Sequence, residues 1–371
     1  MFKSMSRNAE SLEMKNSMKI VTIIGARPQF VKASVISKAL RQAGHKEILV
    51  NTGQHYDDNM ARIFFEEMGI PKPDYNLGVG SGSHASQTAS SLVGIEEILV
   101  AEKPDFIIVF GDTNATVAGA LAAAKLHIKI AHIEAGLRSY NREMPEEINR
   151  VVTDVISNLL FVPTQVAQDN LTREGITEGI HIVGDVMVDA LITYTKVAEQ
   201  KSQILDELKL EKKKFLLMTI HRPSNADHDE RLLSILKQVS KIDLPVIFPV
   251  HPRSRARVEK LISQTEGNIR IIDPVGYLDM MLLEKYASTI ITDSGGVQKE
   301  AYLHKTPCLT VRGETEWVET VRDGWNYIVG HDLEKISILS KKFPEPSGWH
   351  PHYGDGNASA KIVGILEETL V

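Results

Sequence analysis

A chain of 371 residues, 43% of them hydrophobic, is long enough to build two α/β domains, each around its own core. Its formal net charge of -6, with no basic cluster longer than residues 212–214, argues against nucleic acid or an anionic membrane surface as the main partner. A single cysteine, Cys308 in the apolar run PCLTV, excludes a disulfide framework and a thiolate metal site, and no segment nears the roughly 18 apolar residues of a membrane span, so a buried thiol in a cytoplasmic protein is expected.

Residues 1–17, MFKSMSRNAESLEMKNS, are polar and lack the apolar core of a signal peptide, which predicts a disordered leader. The first strand, KIVTII, runs into Gly25-Ala26-Arg27-Pro28 and then a helix that carries Lys32 and continues through residues 35–43. A glycine at such a turn lets backbone approach a ligand closely, and Arg27 and Lys32 can meet phosphate oxygens; a plain strand-to-helix turn with surface cations fits the same residues equally well. The turn is neither a Walker A loop nor GxGxxG, so ATP and nicotinamide are not indicated. After the strand EILV, the run FIIVF ends in Gly111-Asp112-Thr113-Asn114, where Asp112 reads as a helix N-cap, as a carboxylate aimed into a cleft, or as both.

The strand KIAHI delivers Glu134 at its carboxyl end, where parallel sheets bind ligands, and opens the densely charged stretch EAGLRSYNREMPEEINR. Pro145 stands where a first helical residue would be. The helix it begins repeats apolar residues at Ile148, Val151, Val152 and Val155, which predicts that this stripe is buried, with Glu146 and Arg150 sharing the other face. Taken alone, that pair is an i,i+4 ion pair on a solvated helix. The strand LLFV follows, and the polar run at residues 193–214 is expected to connect a first lobe, residues 18–195, to a second, residues 214–350.

The second half repeats the theme with FLLMTI, PVIFPV, IRII, STIIT and PCLTV, each followed by a helix-length segment, so each lobe should hold a mainly parallel sheet with right-handed crossovers. In IITDSGGVQKEA, Asp293, Ser294, Gly295 and Gly296 lie between strand and helix, an arrangement that turns amides and a positive helix end toward an anion. Glu300, one turn on, suits the paired hydroxyls of a ribose. His221, at a strand end, is either a phosphate donor or a satisfied structural histidine. No histidine shows HxxxH spacing with a nearby third ligand, so no metal is expected. The closing segment, residues 355–371, is helical in pattern and should cross back to the first lobe. With acids in one lobe and amides and cations in the other, the division suits a nucleotide sugar.

Through GARPQFVK, TGQH, GDTNAT, HIEAGLRS with MPEEINR, HR, HPR and TDSGGVQKEA, in this order over residues 18–370, the chain resembles the non-hydrolysing UDP-N-acetylglucosamine 2-epimerases. The resemblance implies a glycosyltransferase-B-like fold of two Rossmann-like lobes around a cleft, no cofactor, a homodimer, and inversion at C2 of a UDP-sugar by elimination of UDP and its re-addition. It carries the catalytic groups onto Asp112, Glu134 and Glu146, with Arg150 and His221 beside them. It carries the nucleotide contacts onto Arg27, Lys32, His251, Tyr277, Ser294, Gly295, Gly296, Glu300 and Arg312. Hydrolysing relatives tend to open GTRAEYG or GTRAEFG, which Arg27-Pro28 does not match.

Two positions depart from well-known members: Ser224 replaces a common acid, and Trp317 a common arginine. Residues 56–84 differ from members that their own substrate activates, so that regulation is not expected. GARPQF, VGDVM, PVGYLDM and TEWVE also resemble epimerases of UDP-2,3-diacetamido-2,3-dideoxy-glucuronate. A retaining glycosyltransferase, sharing the lobes and the UDP site but leaving the C2 hydrogen untouched, is the alternative from another reaction class.

Overall fold

Val/Ile-rich runs covered by helices on both faces make two all-parallel sheets in the computed structural model, which describes residues 17–53 and 68–370. The leader to residue 16 and residues 54–67, which include Gln54 and His55, therefore lie outside the described residues, as do the side chains of Arg27 and Arg253. The first sheet holds β1 (Lys19–Ile24), β2 (Lys46–Asn51), β3 (Tyr75–Asn76), β4 (Phe106–Phe110), β5 (Lys129–Ile133), β6 (Leu159–Val162) and β7 (Ile180–Ile182), in the order β3-β2-β1-β4-β5-β6-β7. The second holds β8 (Leu216–Thr219), β9 (Val246–Pro249), β10 (Ile269–Ile272), β11 (Thr289–Thr292), β12 (Cys308–Thr310) and β13 (Asn326–Ile328), in the order β10-β9-β8-β11-β12-β13.

All five residues of β4 are buried, and each such Phe, Ile or Val contributes about 1.5–3 kcal/mol by leaving water. The strand order reverses between β1 and β4 and again between β8 and β11. At such a switch point the helices leave in opposite directions and open a crevice beyond the strand ends. The turn at Gly25 and the acid Asp112 flank the first crevice; His221 and Ser294 flank the second.

The charged stretch at residues 193–214 is largely helical. Helix Val186–Lys201 runs into it and Ile204–Glu207 follows, with Tyr194, Ala198 and Ile204 buried in an apolar cluster that extends from Ile36 in the first lobe to Met281 in the second. Helix Ala358–Leu370 returns to the first lobe, where Glu367 pairs with His45 at 3.1 Å and the carbonyl of Thr369 accepts from Lys129 at 3.0 Å. Its first amides, of Ala358 and Ser359, donate to the Asp189 carboxylate at 3.0 and 3.2 Å. Where the chain crosses between the lobes, the Asp185 amide donates to the Tyr353 carbonyl at 2.8 Å. Gly184 and Gly354 pass back to back there, both at positive φ, so closely that a Cβ on Gly354 would stand 3.0 Å from the Gly184 Cα.

One sequence expectation is reversed. Helix Pro145–Ile156 does not bury its apolar stripe: Ile148, Val152 and Val155 are 52%, 38% and 64% exposed, whereas Glu147, Asn149, Arg150, Thr153 and Asp154 are buried. The period of the pattern defines a face but not which way it points. Here the polar face goes inward because it builds the site described next. Cys308, as expected, is buried and free, and burial pushes its thiol up to about 12. Among the described residues no helix is long and apolar enough to cross a membrane.

Candidate active site

Glu134 follows β5 with φ at +71°, a left-handed conformation that costs a non-glycine residue on the order of 1 kcal/mol. Two amides hold it there: those of Glu134 and Ala135 both donate to the Phe161 carbonyl on β6, at 3.1 and 3.2 Å. The turn aims the carboxylate at Lys32 of helix Arg27–Gln42, with which it forms an ion pair. Gly111, at φ +60°, lies beside both, since a Cβ there would come 3.5 Å from Glu134 Oε1 and 3.6 Å from Lys32 Nζ. Lys32, read from the sequence as a phosphate contact, thus sits with the acids.

The next residue, Asp112, pairs with Arg150 Nη2, and Arg150 Nη1 donates to Glu147 at 2.8 Å. Glu147 also accepts from the amides of Ser139 and Tyr140, both at 2.9 Å, fixing the loop that carries the chain from β5 to the helix. Asn149 donates to the Asp112 carbonyl at 2.9 Å. Deeper, Asp154 bonds His132 Nδ1 at 2.7 Å, Arg138 at 2.6 Å and the Gly136 amide at 3.1 Å, and the other nitrogen of His132 meets the Gly111 carbonyl at 2.8 Å. Every buried polar group of helix Pro145–Ile156 named here positions one of the two acid-bearing turns, which is why the helix turns its polar face inward. Glu146, half-buried in the first turn, is near enough to Asp112 to act on it electrostatically.

In the second lobe the organiser is Asp293, fully buried after β11. It accepts from the amides of His221 and Arg222, each at 3.1 Å, and from Asn225 at 3.0 Å, tying the loop after β8 to that after β11. His221 Nδ1 lies 3.3 Å from the same carboxylate while most of its ring stays exposed in the cleft. Ser294 caps helix Gly295–Leu303 without spending its hydroxyl on a cap bond, and no acid sits in the first turn, so the positive helix end remains available to an anion. A Cβ at 295 would collide with the Glu316 carboxylate, so any larger residue there requires Glu316 to move. Glu316 pairs with the buried Arg312 at 3.1 Å, and Arg312 Nη2 lies 4.0 Å from Glu314, while the buried indole Nε1 of Trp317 has no hydrogen-bond partner among the described residues. Donors left unpaired in a fold cost about 1–3 kcal/mol each, which a ligand's oxygens would relieve. Tyr277 and Glu284 are buried beside the half-buried Glu300; burial pushes the Tyr277 phenol and the Glu284 carboxyl well up, with the Glu300 charge adding to both. His251 lies exposed after β9.

The lobes meet through Lys299, which the sequence reading passed over in favour of its neighbour Glu300. Buried in helix Gly295–Leu303, it reaches across the cleft to Glu134 at 3.3 Å and to Asp185, and it lies 4.3 Å from the centre of the Trp317 ring. Asp185 was visible only as part of VGDVM. Burial alone would raise the Glu134 carboxyl, but Lys299 and Lys32 overwhelm it and hold the group at about 2. Asp112 moves the other way: burial raises it, and the charges of Glu134 and Glu146 add to that against the pull of Arg150. Two neighbouring carboxyls driven apart in proton affinity are the groundwork for one base and one acid in a single reaction.

The family model described as UDP-N-acetylglucosamine 2-epimerase matches residues 38–367. A Methanococcus maripaludis protein named a UDP-N-acetylglucosamine 2-epimerase homolog is 55% identical over 355 residues, 94% of this chain and 99% of its own. The UDP-2,3-diacetamido-2,3-dideoxy-D-glucuronate 2-epimerase of Pseudomonas aeruginosa is 47% identical over 94% of this chain and 99% of its own. Among solved structures, the Methanocaldococcus jannaschii UDP-GlcNAc 2-epimerase in complex with UDP-GlcNAc and UDP superposes with a TM-score of 0.87 at 44% identity, covering 95% of this chain and all of that one. A glycosyltransferase from Rickettsia africae, at 14% identity and a TM-score of 0.58, shares the fold alone.

Proposed function

Because the chain belongs to the UDP-N-acetylglucosamine 2-epimerase family, we propose that it interconverts UDP-GlcNAc and UDP-ManNAc in the cytoplasm, without hydrolysis, to supply cell-surface polysaccharide synthesis. The observation that carries this reading is the opposed setting of Glu134 and Asp112, facing a helix N-terminus across one cleft. The C2 proton of the sugar is not adjacent to a carbonyl, so a carboxylate removes it only as the C1–oxygen bond breaks. The C–H electron pair becomes the C1–C2 double bond of 2-acetamidoglucal, and UDP leaves with the electrons of the broken bond. In the return step a proton reaches C2 from the opposite face and UDP re-adds at C1. Two acid/base positions on two faces meet this need.

Leaving-group stabilisation is the larger task, and in this reading the amides of Ser294, Gly295 and Gly296, with Arg312, Trp317 Nε1 and His221, share it; one such donor is worth about 10² to 10³ in rate. Arg27 at the first crevice, His251, Tyr277 and Glu300 complete the proposed nucleotide site. Proton NMR of the protein with UDP-GlcNAc in D₂O tests the reading. Deuterium at C2 together with UDP-ManNAc signals is the expected result; free ManNAc with accumulating UDP would show hydrolysis instead. No C2 exchange would overturn the substrate. The second reading, UDP-2,3-diacetamido-2,3-dideoxy-glucuronate, rests on the Pseudomonas relative, as similar to this chain as two relatives named UDP-N-acetylglucosamine 2-epimerase at 45% and 47% identity. The same experiment with that sugar decides it.

The exposed apolar face of helix Pro145–Ile156 supports the expected homodimer, with Ile148, Val152 and Val155 against a second copy. Val155→Glu places a charge in that contact and should convert the dimer to a folded monomer in sedimentation equilibrium. An unchanged mass would move the interface elsewhere.

A further inference from the structure

We propose that Asp323, His350 and His352 form a site for one divalent transition ion of zinc's class, which clips the segment crossing between the lobes to the second lobe. One ligand atom from each of the three lies within 4.8 Å of the other two. Asp323 closes helix Val318–Arg322, and its Oδ2 stands 3.0 Å from His350 Nδ1 and 3.0 Å from His352 Nε2. In a tetrahedral zinc site with bonds of about 2.0–2.1 Å, neighbouring ligand atoms are about 3.3 Å apart, so opening these contacts by a few tenths of an ångström makes room for the ion.

The same oxygen also accepts from Tyr302 Oη at 2.5 Å, which crowds three donors onto one carboxylate oxygen. A single cation would replace the two imidazole N–H donors there and leave the tyrosine bond in place. Two imidazoles and one carboxylate suit zinc, cobalt or nickel; magnesium and calcium prefer an all-oxygen shell.

The surroundings are those of a supported ligand set. Pro351 separates the histidines in a tight turn, closed by the His352 amide on the His350 carbonyl at 2.8 Å, and their rings stand 5.4 Å apart. Tyr302 orients Asp323 and stacks on His352 at 6.3 Å, and the Ser347 amide and hydroxyl both donate to the Asp323 carbonyl at 3.0 Å. Hydrogen-bonded support of this kind fixes metal ligands. The His350 side chain is 62% exposed, which gives an ion a way in and leaves a coordination position to water. A search for HxxxH spacing misses the site because its histidines are HxH and its acid lies 27 residues upstream. The chain continues through Tyr353, whose carbonyl takes the Asp185 amide, and Asp185 holds Lys299. The ion would therefore fix the joint on which the Lys299 bridge rests, apart from the sugar chemistry.

The full chain, stripped with EDTA and free of nucleotide, is titrated with Zn²⁺ by calorimetry and with Co²⁺ by visible absorption. One equivalent per chain, a Co²⁺ spectrum of four-coordinate nitrogen and oxygen ligation, and a metal-dependent rise in Tm are expected. His350→Ala and His352→Ala should each weaken Zn²⁺ binding more than about tenfold, and Tyr302→Phe by about tenfold. The exposed ring of His350 makes its variant safe for the fold, which UDP binding and circular dichroism verify. No saturable binding, or equal affinity in the double histidine variant, overturns the proposal.

Discussion

Glu134→Gln is expected to bind UDP as the parent chain does and to turn over about 10² to 10⁴ times more slowly, the range for loss of a positioned acid/base. Glutamine keeps the volume and one acceptor oxygen but cannot take a proton from C2. The substitution leaves the amides of Ser294, Gly295 and Gly296 on the other lobe in place, so the loss should fall on kcat and on C2 deuterium exchange together, with UDP affinity as the control. A variant that still exchanges deuterium at the parent rate would remove Glu134 from the chemistry. Stability changes as well. With its folded value at about 2 against an ordinary 4.5, the Glu134 carboxyl contributes stability that is present above pH 4.5 and lost as pH falls toward 2. The glutamine variant lacks that contribution and should lose less of its remaining stability over the same acid range.

Lys299→Met should be the most disruptive single change in the cleft, costing about 3–5 kcal/mol, because it strands the buried Asp185 carboxylate without its cation. It also withdraws the larger of the two charges that depress Glu134, so the acid limb of the pH–rate profile should shift upward, toward the ordinary carboxylate range. The effects separate in a double variant. Adding Asp185→Asn removes the stranded charge and should restore part of the Tm, yet leave the acid limb where Lys299→Met put it. Recovery of both together would make Lys299 a structural residue only.

The two sheets were legible because buried parallel strands write themselves as short apolar runs, and the acids at their ends because a strand's carboxyl end is where such folds present ligands. Asp112, Glu134 and Ser294 were found that way. Helix Pro145–Ile156 was found as a helix but turned around, since periodicity carries no information about whether an apolar face meets a core or another surface. Lys299 and Asp185 were hidden for a different reason. Their partners lie 165 and 114 residues apart along the chain for Glu134 and Asp185 respectively, and nothing local distinguishes a lysine that crosses a cleft from one that meets water. Trp317 stands where well-known members have an arginine, and its buried indole N–H, without a hydrogen-bond partner among the described residues, is a donor that local sequence does not reveal.

Cys308 carries the chain's only sulfhydryl, sealed on β12 inside the second lobe. A thiol reagent added to the intact protein therefore reports excursions in which that sheet opens, and the alkylation rate counts them. A nucleotide that binds only the closed lobe slows the count by the factor 1 + [L]/Kd. The sulfur is thus an internal gauge of affinity for the proposed nucleotide, readable in variants that no longer turn over.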